Sequence, residues 1–293
     1  IEKLCRIPVT VDIASEFRYR DPIVDSNTLC IFISQSGETA DTIAALKLSK
    51  SFGAKTLAIS NVIGSSITRE ADYTIYTHAG PEIAVASTKA YTSQVVLMNI
   101  LAIYFAEILE KSNKNDLDNL KREIFDLPSK IEKTLDDSEE IKDFAKKVYT
   151  QKDMFFIGRG MDYNTSLEGS LKLKEISYIH SEAYPAGELK HGPIALIENG
   201  VTVIGVLTDE HLTQKSISNL QEVITRGART LVITNQVLTN INFDYVINIP
   251  CTNPLLSSII AIVPLQLFSY YISKFKGLDV DKPRNLAKSV TVE

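Results

Sequence analysis

The chain has 293 residues, of which 44% are hydrophobic and 23% are charged, which is typical of a globular protein with about two domains. Its formal net charge is −5, from 31 Lys and Arg against 36 Asp and Glu. This balance excludes the basic surface that a nucleic-acid backbone or an anionic membrane requires. We therefore expect small molecules or other proteins as partners, and no nucleic acid.

The cysteines and the apolar segments bear on the cellular compartment. Cys5, Cys30 and Cys251 are odd in number and far apart, and no signal peptide stands at the start, so we expect a reducing cytoplasm. Residues 255–272, "LLSSIIAIVPLQLFSYYI", carry no charge but are interrupted by polar residues. We predict a buried helix there, no comparable segment elsewhere in the chain, and no membrane contact.

The predicted elements show an internal repeat. A first apolar strand, "TLCIFIS" (28–34), is followed by a helix and by "GAKTLAISN" (53–61), and the latter pattern returns as "GARTLVITN" (227–235). Each copy precedes a short strand, "DYTIYT" or "DYVINI", and then a long apolar helix. Such self-similarity indicates two halves with one plan.

Near-continuous apolar strands such as "DMFFIG" and "VTVIGVL" are typical of parallel sheets covered by helices on both faces. The predicted fold class is therefore α/β, with two doubly wound parallel-sheet domains related by the internal repeat. We expect the first domain over 1–112, a charged connection of one or two amphipathic helices with solvated faces over 113–152, the second domain over 153–280, and a C-terminal tail over 281–293.

A cluster of hydroxyl groups follows the first strand in "SQSGETADT" (34–42). Gly37 permits a close approach, and the polar side chains here can donate hydrogen bonds beside the free N–H groups of the next helix. A phosphate cradle without lysine is one interpretation. Helix capping by Ser36 or Thr39 is the other, because both use the same groups.

The corresponding turn of the second half, "FFIGRGMDYNTSLEG", contains Gly158 and Gly160 after a strand. Tyr163 stands where a dinucleotide fingerprint has its third glycine, so a nicotinamide site is not supported. We predict no cofactor.

The next helix places Glu168, Lys172 and Glu175 on one stripe, a pattern that by itself is typical of an exposed salt-bridge ladder. A polar segment, "HSEAYPAGELKHGP" (180–193), follows and is predicted to be a functional loop. The spacing of its His and Glu residues matches no helical or hairpin ligand pattern, so no metal site is predicted.

Four motifs carry a family resemblance: "SQSGETADT", "ASTKAYTSQ", "SLKLKEISYIHSEAYPAGELKHGP" and "DKPRNLAKSVTVE". They resemble the isomerase part of glucosamine-6-phosphate synthases, the glutamine:fructose-6-phosphate aminotransferase family, and the resemblance covers essentially the whole chain. It implies two sugar-isomerase domains of the flavodoxin-like type, in agreement with the internal repeat.

The resemblance also implies a role for each matching residue. Glu175 matches the base that moves a proton between C1 and C2, Lys172 a helper beside it, and His191 the ring-opening residue. Lys288 matches the amine that meets the open-chain ketone, and the tail lies over the sugar. The substrate-binding positions are implied to be Ser34, Gln35, Ser36 and Thr39 for the phosphate, and Val85, Ser87 and Ala287 for the sugar.

These residue types suit the conversion of a 2-ketose to a 2-amino aldose. An imidazole that titrates near neutrality can open the ring. A lysine can hold the ketone as a Schiff base when its amine is neutral. One partly desolvated carboxylate can take a proton from C1 and return it at C2.

The resemblance implies partners as well: fructose 6-phosphate, glucosamine 6-phosphate, a glutaminase domain that supplies ammonia, and a second copy of the chain in a homodimer. We expect the glutaminase domain to be absent from this sequence, together with the family's first strand and its Cys-Gly-Thr-Ser loop. His191 is expected to enter the neighbouring subunit's site.

Two other functions use the same scaffold. A sugar-phosphate-binding regulator needs the serine-rich loop but has no use for Glu175, His191 and Lys288 together. A deglycase of phosphorylated sugar amines shares the loop and the proton-moving carboxylate. The tail "PRNLAKSVTVE" favours the synthase over both.

Overall fold

A computed structural model describes residues 1–238 and 241–289. The chain forms two compact units. The first contains Ile1–Leu117 and the tail from Asn285, and the second contains Asp118–Arg284. The units are described separately below.

The first unit is built on a three-stranded parallel sheet of order β1-β2-β3. The register pairs Ser34 of β1 with Ser60 of β2, and Ser60 with Tyr76 of β3, so all three strands end at one edge. Phe32, Leu46 and Ile67 pack on one face and Leu57, Ile59 and Leu101 on the other. The elements are β1 Leu29–Ser34, β2 Lys55–Ser60, β3 Tyr73–Tyr76, α1 Glu2–Cys5, α2 Ala14–Phe17, α3 Ala40–Ser51, α4 Ser66–Glu70 and α5 Lys89–Ile108.

A long helix, α6 (Lys114–Asp136), spans the boundary between the units in sequence. The second unit contains a five-stranded parallel sheet of order β5-β4-β6-β7-β8, with β6 buried at every residue. The predicted fold class is confirmed by these two parallel sheets with their helices. The elements are α7 Glu139–Val148, β4 Asp153–Gly158, α8 Met161–Ser177, β5 His180–Pro185, β6 Thr202–Leu207, α9 Glu210–Ile224, β7 Arg229–Thr234, β8 Tyr245–Asn248 and α10 Ser257–Phe275, with 3-10 turns at Leu189–His191 and Pro193–Leu196.

The internal repeat is visible as one contact made twice. Asp72, just before β3, accepts a hydrogen bond from the N–H of Thr56 in β2 at 2.9 Å and another from its hydroxyl. Asp244, just before β8, does the same with Thr230 in β7, at 2.8 Å from the N–H. The aspartate that begins each "DY" strand therefore ties it to the preceding strand of its repeat, as the sequence pattern predicted.

One sequence prediction about local structure is wrong. Residues 180–185, predicted as loop, form the edge strand β5, which pairs with β4 on one side. Its polar composition is tolerated because an edge strand leaves much of its surface to solvent. In the predicted connection over 113–152, Ile141, Phe144 and Val148 of α7 are buried at helical spacing, as expected of an amphipathic helix.

Among the described residues, the helices α5 and α10 are long and apolar enough to cross a membrane by length and composition alone. In α10, 61% of the apolar window is buried, which confirms the predicted buried helix. The prediction that no other segment compares with it is wrong, because α5 passes the same test with 22% of its window buried. Polar residues scattered along α5, such as Gln94 and Asn99, prevented it from standing out as one apolar run.

Candidate active site

The loop after β1 is shaped by Gly37. This residue has a φ of +70°, and a Cβ there would lie 2.0 Å from the Oγ of Ser65. Any other residue would therefore meet both backbone strain and a steric clash. The loop is held against the turn after β2, where Glu38 accepts hydrogen bonds from the N–H (2.8 Å) and the hydroxyl (2.6 Å) of Ser66. These bonds also keep the pKa of Glu38 below its ordinary value.

The hydroxyls of this loop are ordered by the backbone. Ser34 Oγ accepts the N–H of Gly37 at 3.0 Å and lies 3.0 Å from the Oγ1 of Thr39, and Ser36 Oγ accepts the N–H of Glu38 at 3.2 Å. The helix α3 begins at Ala40, yet Thr39 makes no side-chain capping bond. The capping interpretation is therefore wrong for Thr39. A hydroxyl that accepts an N–H still has its own hydrogen to donate, so Ser36 keeps a donor for a ligand.

Asn61 connects the three loops at this edge of the sheet. Its N–H donates to the carbonyl of Gln35 at 3.1 Å, and its side-chain oxygen accepts the N–H of Ala79 at 2.9 Å. Its side-chain amide donates to the carbonyl of Gly80, also at 2.9 Å. Sequence reasoning did not single out Asn61, although it ends the repeated segment "GAKTLAISN" and was visible there.

The C-terminal tail reaches the loop after β3 in the same unit. The Nζ of Lys288 donates to the carbonyl of Ala84 and lies 3.7 Å from the Oε2 of Glu82. Ala84 directly precedes Val85, one of the predicted sugar-contacting residues. The predicted tail also includes residues 290–293, which lie outside the described residues. Within the first unit, the end of β1 and the loop after it therefore carry Ser34, Gln35, Ser36 and Thr39, the segment between β3 and α5 carries Val85 and Ser87, and the tail carries Ala287 and Lys288.

In the second unit, α8 carries a buried charged cluster. The Nζ of Lys172 lies 2.5 Å from the Oε2 of Glu175 and 3.4 Å from the Oε1 of Glu168. Only 6% of the Lys172 side chain is exposed, so the exposed ladder that the spacing alone suggested is wrong. Burial raises the pKa of Glu168, against the opposing effect of the Lys172 ammonium.

Glu175 has the chemistry of a base within this cluster. Its Oε2 is buried and lies 2.5 Å from the Nζ of Lys172, whose ammonium compensates its charge, while 22% of its side chain remains exposed. A carboxylate has several lone pairs, so one that is partly exposed can accept a proton from a ligand while it stays paired with the lysine. Helix α8 packs on α10 and on the strands β4 and β5.

His191 lies on the 3-10 turn Leu189–His191 of the second unit. The turn is anchored by Leu189, which is buried, and its last N–H donates to the carbonyl of Glu188 at 3.0 Å. His191 itself is exposed. The second unit therefore holds Lys172, Glu175 and His191, with the imidazole presented on its surface.

In the second unit, the turn between β4 and α8 corresponds to the hydroxyl loop between β1 and α3 of the first unit. There Asp162, 3% exposed, accepts the N–H of Thr208 at 2.8 Å and also its hydroxyl. Burial raises the pKa of Asp162, although the bonds from Thr208 oppose this. A Cβ at Gly158 would lie 2.4 Å from the backbone of Asp162, so the turn is also closely packed. The carboxylate of Asp162, in the first turn of α8, is therefore bound by the residue that follows β6.

Comparison with known proteins places these features in a family. Residues 1–104 and 147–273 match the SIS domain family. The chain is 60% identical over 295 residues to a glutamine–fructose-6-phosphate aminotransferase (isomerizing) of Clostridium tetani, and 47% identical over 289 residues to the protein of that name in Thermococcus kodakarensis. These alignments cover 100% and 98% of this chain but 48% of each relative, so the chain spans about half the length of the curated relatives it matches.

Comparison with solved structures supports the same family assignment. The C-terminal domain of glucosamine-fructose-6-phosphate aminotransferase from Francisella tularensis superposes with a TM-score of 0.93 at 40% identity, covering 96% of this chain and 81% of that domain. A glucosamine-6-phosphate deaminase from Thermotoga maritima shares the fold, with a TM-score of 0.76 at 23% identity, covering 99% of this chain and 83% of that one. The chain therefore belongs to the SIS domain family and, within it, to the isomerase region of the glucosamine-6-phosphate synthases.

Proposed function

We propose that the chain converts fructose 6-phosphate to glucosamine 6-phosphate, using ammonia that a glutaminase domain releases from glutamine. The observation that supports this most directly is the buried pair of Lys172 and Glu175, because a proton-moving carboxylate is what an isomerase needs and a binding protein does not. The chemistry requires ring opening, attachment of nitrogen at C2, and proton transfer from C1 to C2.

Recognition of the sugar begins at its phosphate. In this proposal the 6-phosphate lies at the start of α3, where Ser36 and Thr39 can donate hydroxyl hydrogens beside the free N–H groups of the helix. Helix N-termini and neutral donors hold a phosphate without a lysine. Gln35, Val85 and Ser87 are proposed to contact the phosphate and the sugar from neighbouring loops.

The reaction then proceeds through three side chains. His191 opens the ring by moving a proton between the ring oxygen and the C2 hydroxyl. The amine of Lys288 adds to C2 as an imine, and Ala287 lies beside the sugar next to it in sequence. Glu175 takes a proton from C1 and returns it at C2, with the ammonium of Lys172 beside it.

The oligomeric state and the cellular compartment of the chain also belong to this proposal. We place the chain in the cytoplasm, beside a glutaminase domain, in a homodimer with two-fold symmetry. The exposed imidazole of His191 on its anchored turn supports a role in the site of the neighbouring subunit. A regulator that only bound sugar phosphates would bind fructose 6-phosphate without exchanging its C1 proton, so that exchange, followed by NMR in deuterated buffer, is the experiment that tests the proposed activity.

Replacing Ser36 and Thr39 together by alanine should weaken the binding of fructose 6-phosphate by about tenfold or more, because each hydrogen bond to a charged group contributes roughly 1.5–3 kcal/mol. Affinity for unphosphorylated fructose should barely change. Titration calorimetry with both sugars measures the difference. Ser51→Ala is the control, since this hydroxyl donates to the carbonyl of Leu48 at the other end of α3. Equal losses for both sugars would contradict a phosphate role for the loop.

Cyanoborohydride, which reduces imines, should fix fructose 6-phosphate covalently on Lys288. Peptide mass spectrometry should find the adduct in the wild-type protein and in Lys282→Ala, and lose it in Lys288→Ala. Lys282 is a suitable control because it lies in the same segment of the sequence and is exposed. An adduct that survives Lys288→Ala would place the reactive amine elsewhere, and no adduct in the wild-type protein would remove the imine step from the proposal.

A further inference from the structure

Glu82 is a carboxylate that none of the roles above uses. It lies between β3 and α5, and only 4% of its side chain is exposed. Its Oε1 accepts the N–H of Thr88 at 2.7 Å. Because Thr88 directly precedes α5, this bond satisfies an N–H group at the start of the helix. Helix capping therefore accounts for one of the two carboxylate oxygens.

The other oxygen needs a separate explanation. Oε2 of Glu82 is buried and accepts no hydrogen bond from the described residues. A buried carboxylate oxygen without a donor is costly unless a positive charge compensates it. The Nζ of Lys288 lies 3.7 Å away and supplies that charge.

The amine of Lys288 is consequently held from two sides. It donates to the carbonyl of Ala84, 204 positions away in the sequence, and is attracted to the carboxylate of Glu82. Both partners belong to the segment that supplies Val85 and Ser87. A third of the Lys288 side chain remains exposed, so the amine is positioned without being enclosed.

Glu82 is ionised in this setting. Burial raises its pKa, but the N–H of Thr88, the Ser87 hydroxyl and the ammonium of Lys288 together lower it below the ordinary value. A fixed negative charge beside an amine favours whichever state of that nitrogen carries a positive charge.

We propose that Glu82 is the positioning residue for Lys288, holding its amine beside Ala84 and remaining next to the nitrogen as it becomes a cationic imine. This rests on the proposed function, in which that amine adds to the open-chain ketone. The ammonium gives up one proton, the lone pair that this frees forms the C2–N bond, and the carbonyl oxygen takes up one proton and becomes a hydroxyl. A second proton from the nitrogen leaves with this hydroxyl as water, and the resulting C=N group keeps one proton and a positive charge, which faces Glu82 where the ammonium was.

A pair of matched variants separates this role from capping. Glu82→Gln retains an oxygen that can accept the Thr88 N–H and removes the charge. Asp72→Asn is the matched control, because Asp72 also accepts a backbone N–H, from Thr56, and lies 3.5 Å from the Nζ of Lys50. Lys50 in turn donates to the carbonyl of Glu70, so each lysine is held by one carbonyl and one carboxylate.

The measurement is the rate at which a limiting amine-reactive anhydride modifies each lysine, read by peptide mass spectrometry without sugar. We expect Glu82→Gln to speed modification of Lys288 by about fivefold, the size of effect expected for a partly exposed ion pair. The rate at Lys50 should stay unchanged. Asp72→Asn should speed the modification of Lys50 and leave the rate at Lys288 unchanged. Equal rates at Lys288 in wild type and Glu82→Gln would overturn the proposal.

Imine trapping with fructose 6-phosphate and cyanoborohydride is the second readout. Glu82→Gln should lower the adduct on Lys288 several-fold, whereas Asp72→Asn should leave it unchanged. An undiminished adduct in Glu82→Gln would overturn the positioning role. If the wild-type protein forms no adduct, the imine step of the proposed function fails, and the labelling rates without sugar still decide whether Glu82 holds the amine.

Discussion

Glu175→Gln is expected to abolish the exchange of the C1 proton of fructose 6-phosphate with solvent while leaving binding of the sugar nearly intact. The amide keeps the shape of the side chain but cannot take a proton. A positioned general base contributes about 10²- to 10⁴-fold to a rate, so exchange should fall to the detection limit. Proton NMR in deuterated buffer measures the exchange, and titration calorimetry measures the binding.

Glu168→Gln is the matched control for this experiment. Glu168 also contacts Lys172 on α8, so its replacement removes a carboxylate charge from the same cluster. If Glu175 acts as the base, Glu168→Gln should slow exchange far less than Glu175→Gln. Comparable losses in both variants would mean that the charge balance around Lys172 matters and that Glu175 has no individual role. Persistent exchange in Glu175→Gln would remove it from the mechanism.

Mixed dimers should recover activity that neither parent possesses. Consider a dimer with Glu175→Gln in one chain and His191→Ala in the other. If His191 serves the partner's site, one site combines both lesions and the other combines both intact residues. Each parent homodimer should be nearly inactive, whereas the mixed dimer should regain about half of the wild-type exchange, by the count of intact sites in a two-fold dimer.

Two different affinity tags allow the mixed dimer to be purified away from both parents. A dimer with two wild-type chains and both tags sets the full scale. If Glu175 and His191 instead act within one chain, every site of the mixed dimer carries one lesion, and its exchange should remain as low as that of the parents. That outcome would assign His191 to its own subunit.

The sequence predicted the features that depend on local patterns. Strands such as β6 are buried on both faces, so their apolar runs identified them directly. The repeat was also readable, because Asp72 and Asp244 make the same contact with Thr56 and Thr230. The hydroxyl loop was placed correctly after β1, since parallel strands present such loops at their carboxyl ends.

Features that depend on distant parts of the chain were not readable. The salt-bridge stripe of α8 has the spacing of an exposed ladder, and the burial of Lys172 depends on tertiary packing that this spacing does not encode. The strand β5 has polar residues because it pairs on one side only. The sequence did not single out Glu82. The role of its buried Oε2 becomes clear only from the nearby Nζ of Lys288, which lies 206 positions later in the sequence.

Asp162 makes the two halves of the repeat differ in the donors that they offer. In the second unit its buried carboxylate, in the first turn of α8, accepts the N–H and the hydroxyl of Thr208. In the first unit the corresponding turn before α3 carries neutral hydroxyl groups instead. The N–H of Thr208 is therefore already used within the protein, and the repeated backbone plan does not give both units the same donors for a ligand.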